Sequence, residues 1–103
     1  MISLCAVEAT VEVAGGKLKS IILNYLLSGT NRFGELRRLI GGVPQRSFTL
    51  QLRQLEEHGI IRREVFAEMP PRVEYSLTDL GKTLEPVLQA MKRWGDTYAA
   101  RRS

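Results

Sequence analysis

The sequence holds a single cysteine, Cys5, and a single histidine, His58, in 103 residues. One thiol cannot close a disulfide within the chain, and one Cys with one His cannot furnish the ligand set of an ordinary zinc site. A lone cysteine suits a reducing compartment, so the expected location is the cytoplasm. Long apolar runs are also missing. The segment Ile21-Ile22-Leu23 is interrupted by Asn24, and nothing approaches the roughly 20 residues that span a bilayer. Residues 1–6 show no basic stretch followed by an apolar one, so no secretory leader is expected and a membrane is not an expected partner. There is no Ser/His/Asp set, no phosphate-binding glycine loop and no metal-ligating cluster, which argues against an enzyme; no cofactor is implied. Repeats, low-complexity tracts and long linkers are absent as well, so residues 1–103 are expected to form one domain.

What is present is a globular composition, with 44% hydrophobic and 25% charged residues and a net charge of +4. The charge is unevenly spread. Residues 1–14 carry only Glu8 and Glu12, and residues 54–103 balance acids against bases. Residues 15–53 hold Lys17, Lys19, Arg32, Arg37, Arg38, Arg46 and Arg53 against Glu35 alone, a net +6. A basic block confined to one region is the footprint of a polyanion binder.

Apolar spacing predicts a mainly α chain with one β-hairpin. A short helix is expected over 7–14, ended by Gly15-Gly16. In the next, Lys17–Leu27, Leu18, Ile21, Ile22, Tyr25 and Leu26 recur at intervals of three and four, as a core-facing stripe requires. An extended link over 30–33 leads to a third helix, Phe33–Ile40, and Gly41-Gly42 makes a turn. A fourth helix is predicted over 44–58, with Pro44 near its start and Phe48, Leu52 and Leu55 inside. Two β-rich runs, 60–67 and 73–77, flank the proline-stiffened loop 68–72 and read as a hairpin. Thr78 is the expected N-cap of a last helix from Asp79 onward, bent at Pro86 and frayed beyond Gly95.

Two helices joined by a glycine turn form a helix-turn-helix, and a hairpin after it is a wing. The second helix carries Gln45, Arg46, Ser47, Thr49, Gln51 and Arg53, side-chain types that meet base edges and phosphates. Arg46 is the expected guanine reader. Lys17, Arg32 and Arg72 are expected at the backbone or the minor groove, with Arg72 at the wing tip, where concentrated negative potential attracts arginine. Leu80, Leu84, Val87, Leu88, Met91 and Trp94 form a stripe that a small winged domain cannot cover, so a homodimer interface is expected there. His58, near a helix end, complements the helix dipole.

The chain resembles the HxlR-type transcriptional regulators, winged-helix proteins related in fold to the MarR group. The resemblance runs from Cys5 to Gly95. It is carried by Cys5 with Val7-Glu8, Gly15-Gly16-Lys17, Arg32-Phe33 with Glu35-Leu36, Gln45-Arg46, Leu52-Arg53 with Leu55-Glu56, Gly59-Ile60, the run from Pro70 through Thr78 with Gly81, and Pro86 with Trp94-Gly95. It implies a homodimer on a partly palindromic double-stranded DNA operator, with dimer contacts from the N- and C-terminal helices. It also implies that Cys5 senses an oxidant or electrophile. A chain this short suits a repressor better than an activator. Three positions depart from the family pattern: Ala6 follows Cys5 in place of proline, Leu18 stands for a tryptophan, and Leu50 follows Thr49 where polar residues are usual. The last implies either a different operator contact or an apolar contact to a thymine methyl. Two rival readings stand beside this one. In the first, an apolar effector binds a cleft near Tyr25 and Trp94 and Cys5 has no role. In the second, the winged domain binds protein and has lost DNA.

Overall fold

The computed structural model describes the backbone of residues 2–102 and the side chains of residues 5–102. Its elements are α1 (Ile2–Ala14), α2 (Lys17–Leu27), β1 (Asn31–Arg32), α3 (Phe33–Ile40), α4 (Gln45–Glu57), β2 (Ile61–Phe66), β3 (Arg72–Leu77), α5 (Asp79–Lys82) and α6 (Glu85–Arg102). The mainly helical winged architecture matches the sequence expectation. The strands form one antiparallel sheet in the order β1-β3-β2.

The core sits where α2, α3 and α4 meet the sheet. Ile22, Leu23, Leu36, Phe48, Leu52 and Leu55 are fully buried there, and Leu88 of α6 closes it from the far side. The apolar stripes of α2 and α4 therefore face inward as their spacing requires. Strand alternation does the same for the wing: Ile61 pairs with Leu77 and Arg63 with Tyr75, and both Leu77 and Tyr75 are buried. The next pairs, Arg62 with Ser76 and Glu64 with Glu74, occupy the opposite face.

The corner between β3 and α5 is held by Thr78. Its hydroxyl accepts from the Gly81 N–H at 3.0 Å and donates to the Gly59 carbonyl at 2.6 Å, so the predicted cap also ties the C-terminal segment to the end of α4. Gly81 is buried against this corner, where a Cβ would collide with the Ile60 carbonyl oxygen.

Four boundaries differ from expectation. Helix α1 begins at Ile2, several residues before the predicted start at 7. The link 30–33 contains a true strand: β1 pairs Asn31 with Tyr75 and Arg32 with Glu74. The last helix is two helices. α5 ends in a turn at Thr83, and α6 restarts with Pro86 as its second residue. A proline in a first turn sacrifices no helical hydrogen bond, so Pro86 begins a helix where a bend was expected. The tail beyond Gly95 continues as α6 to Arg102. Lys92 pairs with Asp96 at 3.2 Å, Trp94 stacks on Tyr98 at 5.2 Å, and Arg102 lies 5.6 Å from the Tyr98 ring. Such contacts one turn apart support a helix.

Candidate nucleic-acid interface

The geometry of the helix-turn-helix starts with Gly41 and Gly42. Their φ values of 72° and 62° lie in the left-handed region, which glycine enters without penalty. The turn is braced from both sides. The Tyr25 hydroxyl donates to the Leu39 carbonyl at 3.1 Å, and an Arg37 Nη2 reaches the Val43 carbonyl at 3.5 Å. Pro44 is the N-cap of α4, in an extended conformation with no side-chain cap bond. Phe48, packed on Phe33 at 5.2 Å between ring centroids, anchors the first turn of α4 in the core.

With Phe48, Leu52 and Leu55 turned inward, the opposite face of α4 is left for a ligand. Gln45, Arg46, Thr49, Leu50 and Arg53 line one surface depression of about 550 Å³. Ser47, exposed, lies on the other flank of the helix and does not line it. Among the described residues, neither Arg46 nor Arg53 has an acidic partner within ion-pair distance, and the same holds for Lys17 and Arg38. Arg32 reaches Glu35 only at 4.0 Å, with both side chains more than half exposed, a contact that holds the guanidinium weakly. The basic block thus presents uncompensated cations on α4, at the start of α2 and at the end of α3.

The wing corrects one expectation. Arg72 is the first residue of β3 and does not stand at the loop tip. Its guanidinium meets Glu68 at 3.2 Å and Glu74 at 3.1 Å and lies 4.2 Å from the centre of the Phe66 ring. The side chain is 27% exposed, so Arg72 is engaged in closing the loop, while Met69 in that loop is almost fully exposed. A different arginine lies beside α4. Arg63, on the inner face of the hairpin, approaches Glu56 of α4 at 3.7 Å. It also lies, with Glu56 and Arg53, in the electrostatic surroundings of the Tyr75 phenol, whose pKa is raised chiefly by burial. Spacing along the chain does not single out Arg63. Strand alternation is the signal that could have found it, since it sets Arg63 and Tyr75 on one face.

The stripe expected at a dimer interface divides. Leu88 belongs to the hydrophobic core and Leu84 packs against it, so both serve the fold. Leu80, Met91 and Trp94 are exposed, the last to 68%, and Val87 is half-buried. On α1, Val7 and Val11 are exposed as well. Val7, Val11, Ala14, Val87 and Met91 line an apolar groove of about 440 Å³ between α1 and α6. Cys5 is exposed in the first turn of α1. Tyr25 turns its hydroxyl to α3 and Trp94 stacks on Tyr98, so the apolar cleft lies along α1 and α6, away from the Tyr25 position expected from the sequence. His58 Nε2 lies 3.7 Å from Glu12 Oε1, a link from the end of α4 to α1 that spacing alone does not reveal.

Residues 13–103 match the HxlR-like helix-turn-helix family model. The chain belongs to this family. It is 53% identical over 97 residues, 94% of its own length and 76% of the relative's, to an uncharacterized HTH-type transcriptional regulator, YdeP, of Bacillus subtilis (strain 168). Among solved structures, the redox regulator HypR in its oxidized form matches with a TM-score of 0.84 at 50% identity, over 90% of this chain and 96% of that one. The reduced form of HypR matches with a TM-score of 0.85 at 50% identity, over 89% and 91%. The chain is thus a transcriptional regulator with a winged helix-turn-helix domain of the HxlR and MarR kind. Family and relatives are regulators and not enzymes. No helix among the described residues is long and apolar enough to cross a membrane.

Proposed function

We propose that this HxlR-family chain is a cytoplasmic repressor that binds a partly palindromic operator as a homodimer, each subunit acting as one winged domain. The observation that carries the reading is the outward face of α4, where Arg46 and Arg53 stand unpaired beside Gln45 and Thr49. Arg46, in the first turn of the helix that enters the groove, is suited to a bidentate contact with guanine, and Gln45 to adenine. Ser47, Lys17 and Arg32 are assigned to phosphates, with Arg63 as an addition from the wing. The exposed apolar positions on α1 and α6 are assigned to the partner subunit, giving the two-fold symmetry that a palindrome needs.

A redox switch at Cys5 is the second part of the reading. It is favoured by the exposure of this thiol on α1 and by the 50% identity to a protein described as a redox regulator. A peroxide would oxidise the thiolate to a sulfenic acid. A second thiol, from the partner subunit or a small molecule, would then displace water to give a disulfide.

Titration of labelled duplexes spanning the region upstream of the gene tests the first part. Saturable binding that weakens steeply with salt is expected. Arg46→Ala should lower affinity by about 1–3 kcal/mol per subunit and relax preference at one base pair. Absence of binding at low salt sinks the reading. For the switch, peroxide treatment should alter operator affinity of the wild-type chain and leave Cys5→Ser unaffected; an equal response of both removes Cys5 from the mechanism.

A further inference from the structure

We propose that Leu50 packs on the 5-methyl group of a thymine in the major groove, so that each half-site carries a T·A pair read by an apolar contact. The proposal rests on the DNA-binding reading above and adds a specificity-determining residue to it.

At about 100° per residue, Leu50 lies half a turn from the stripe of Phe48, Leu52 and Leu55. It therefore faces away from the core, and it is 51% exposed. Isolated leucines on a surface are ordinary; the surroundings make this one informative. Arg46 lies one turn before it and Arg53 one turn after, and with Gln45 and Thr49 they form the lining of a single depression. Every other member of that lining offers hydrogen bonds. Leu50 offers only apolar surface, at the edge of a face whose cations have no acidic partners among the described residues. A leucine there gains nothing from phosphates and pairs with no polar base edge. Base edges in the major groove present donors and acceptors with one apolar exception, the methyl on C5 of thymine.

The spacing sets where that methyl falls. Four residues of helix advance about 6 Å, against about 3.4 Å per base step. The thymine should lie one or two base pairs from the guanine contacted by Arg46. 5-Methylcytosine displays the same methyl, and the Thr49 hydroxyl, which can donate to thymine O4 or accept from a cytosine amino group, does not separate the two. Thymine is the base that carries this methyl in unmodified DNA.

The experiment uses the full chain and an operator duplex recovered by selection from a random pool. Each thymine is replaced singly by deoxyuridine, which removes the methyl and leaves base pairing intact. Removing the one methyl that Leu50 covers should weaken binding about three- to five-fold per half-site, at one position and at no other. Leu50→Ala, at an exposed site, should keep the wild-type melting temperature, bind the thymine duplex about three- to five-fold more weakly per half-site, and bind the two duplexes alike. The T·A pair is also exchanged for 5-methyldeoxycytidine·G and for C·G, with the methylated pair expected between the other two. Indifference of the wild-type chain to every deoxyuridine, or an unchanged preference in Leu50→Ala, overturns the methyl contact. A methylated cytosine bound as tightly as thymine overturns the assignment to thymine. Failure to recover any bound duplex overturns the DNA-binding reading, and this proposal with it, whereas a complex blind to the methyl overturns the proposal alone.

Discussion

Tyr75 belongs to the core and borders the candidate interface. Its ring is buried, 6.4 Å from Phe33 between centroids, while its phenol senses Arg63, Glu56 and Arg53. Burial raises its pKa above the ordinary 10.0, with Arg63 opposing the shift and Glu56 adding to it. As pH rises, the unfolded chain releases this proton before the folded one does. The contribution of the phenol is therefore complete below the unfolded pKa and is lost as pH climbs through the raised folded value. Tyr75→Phe should flatten the alkaline fall in urea midpoint above about pH 10, with little change at neutral pH. A variant that follows the wild-type curve through this range would show that Tyr75 is not the group responsible. At this scale the sequence is informative where one residue has one geometric demand. Phe48, Leu52 and Leu55 have to face inward because helical spacing aligns them, and Thr78 has to cap because it precedes Asp79 at a helix start. Tyr75 does not stand out in the sequence, because its two neighbourhoods come from strand and helix residues distant along the chain.

The wing shows what an element conceals when only its order along the chain is known. Arg72 follows two prolines in a predicted loop and reads as an exposed cation. In the fold, Glu68 from the loop and Glu74 from the same strand close on it, and Phe66 lies across the strand pair from it. The hairpin is legible in its β-rich runs, whereas the way the loop folds back on Arg72 is not. The C-terminal helices mislead in the opposite way. The apolar spacing of Leu80, Leu84, Leu88 and Met91 runs through the break at Thr83, so periodicity alone joins α5 to α6. Strand β1 has two residues, too short to leave any alternation. Arg72 also yields a test. Deleting a cation that touches a phosphate reduces the salt slope of binding by about 0.9; deleting a brace within the wing does not. Arg72→Ala is expected to keep the wild-type slope and bind more weakly, with faster amide exchange across residues 66–72. A slope reduced by that full amount would return Arg72 to the DNA.

For the molecule as a whole, the distribution of apolar surface matters more than its amount. Val7 and Val11 on α1 and Met91 and Trp94 on α6 are all exposed, and they fall on the two helices that flank the winged core. The unpaired cations Arg46 and Arg53 lie on α4, although α6 also carries Lys92, Arg93, Arg101 and Arg102. Such a division suits a subunit that meets its copy with one side and DNA with the other, and a stable interface buries about 1,200–2,000 Å² in total, which two paired helices per subunit can supply. Leu88, although in the same stripe, is committed to the subunit core, and this separates two kinds of mutant. Leu88→Ala should lower subunit stability by about 2–5 kcal/mol, as truncation of a buried leucine does, without selectively dissociating a dimer. The double variant Met91→Glu, Trp94→Glu places like charges on the exposed face. Sedimentation should show it as a monomer at concentrations where the wild type is a dimer. Its operator affinity should fall at least about 100-fold, because each half-site is then bound without the effective concentration that the linked subunit provides. A double variant that stays dimeric and binds its operator at full strength would move the interface off this face of α6.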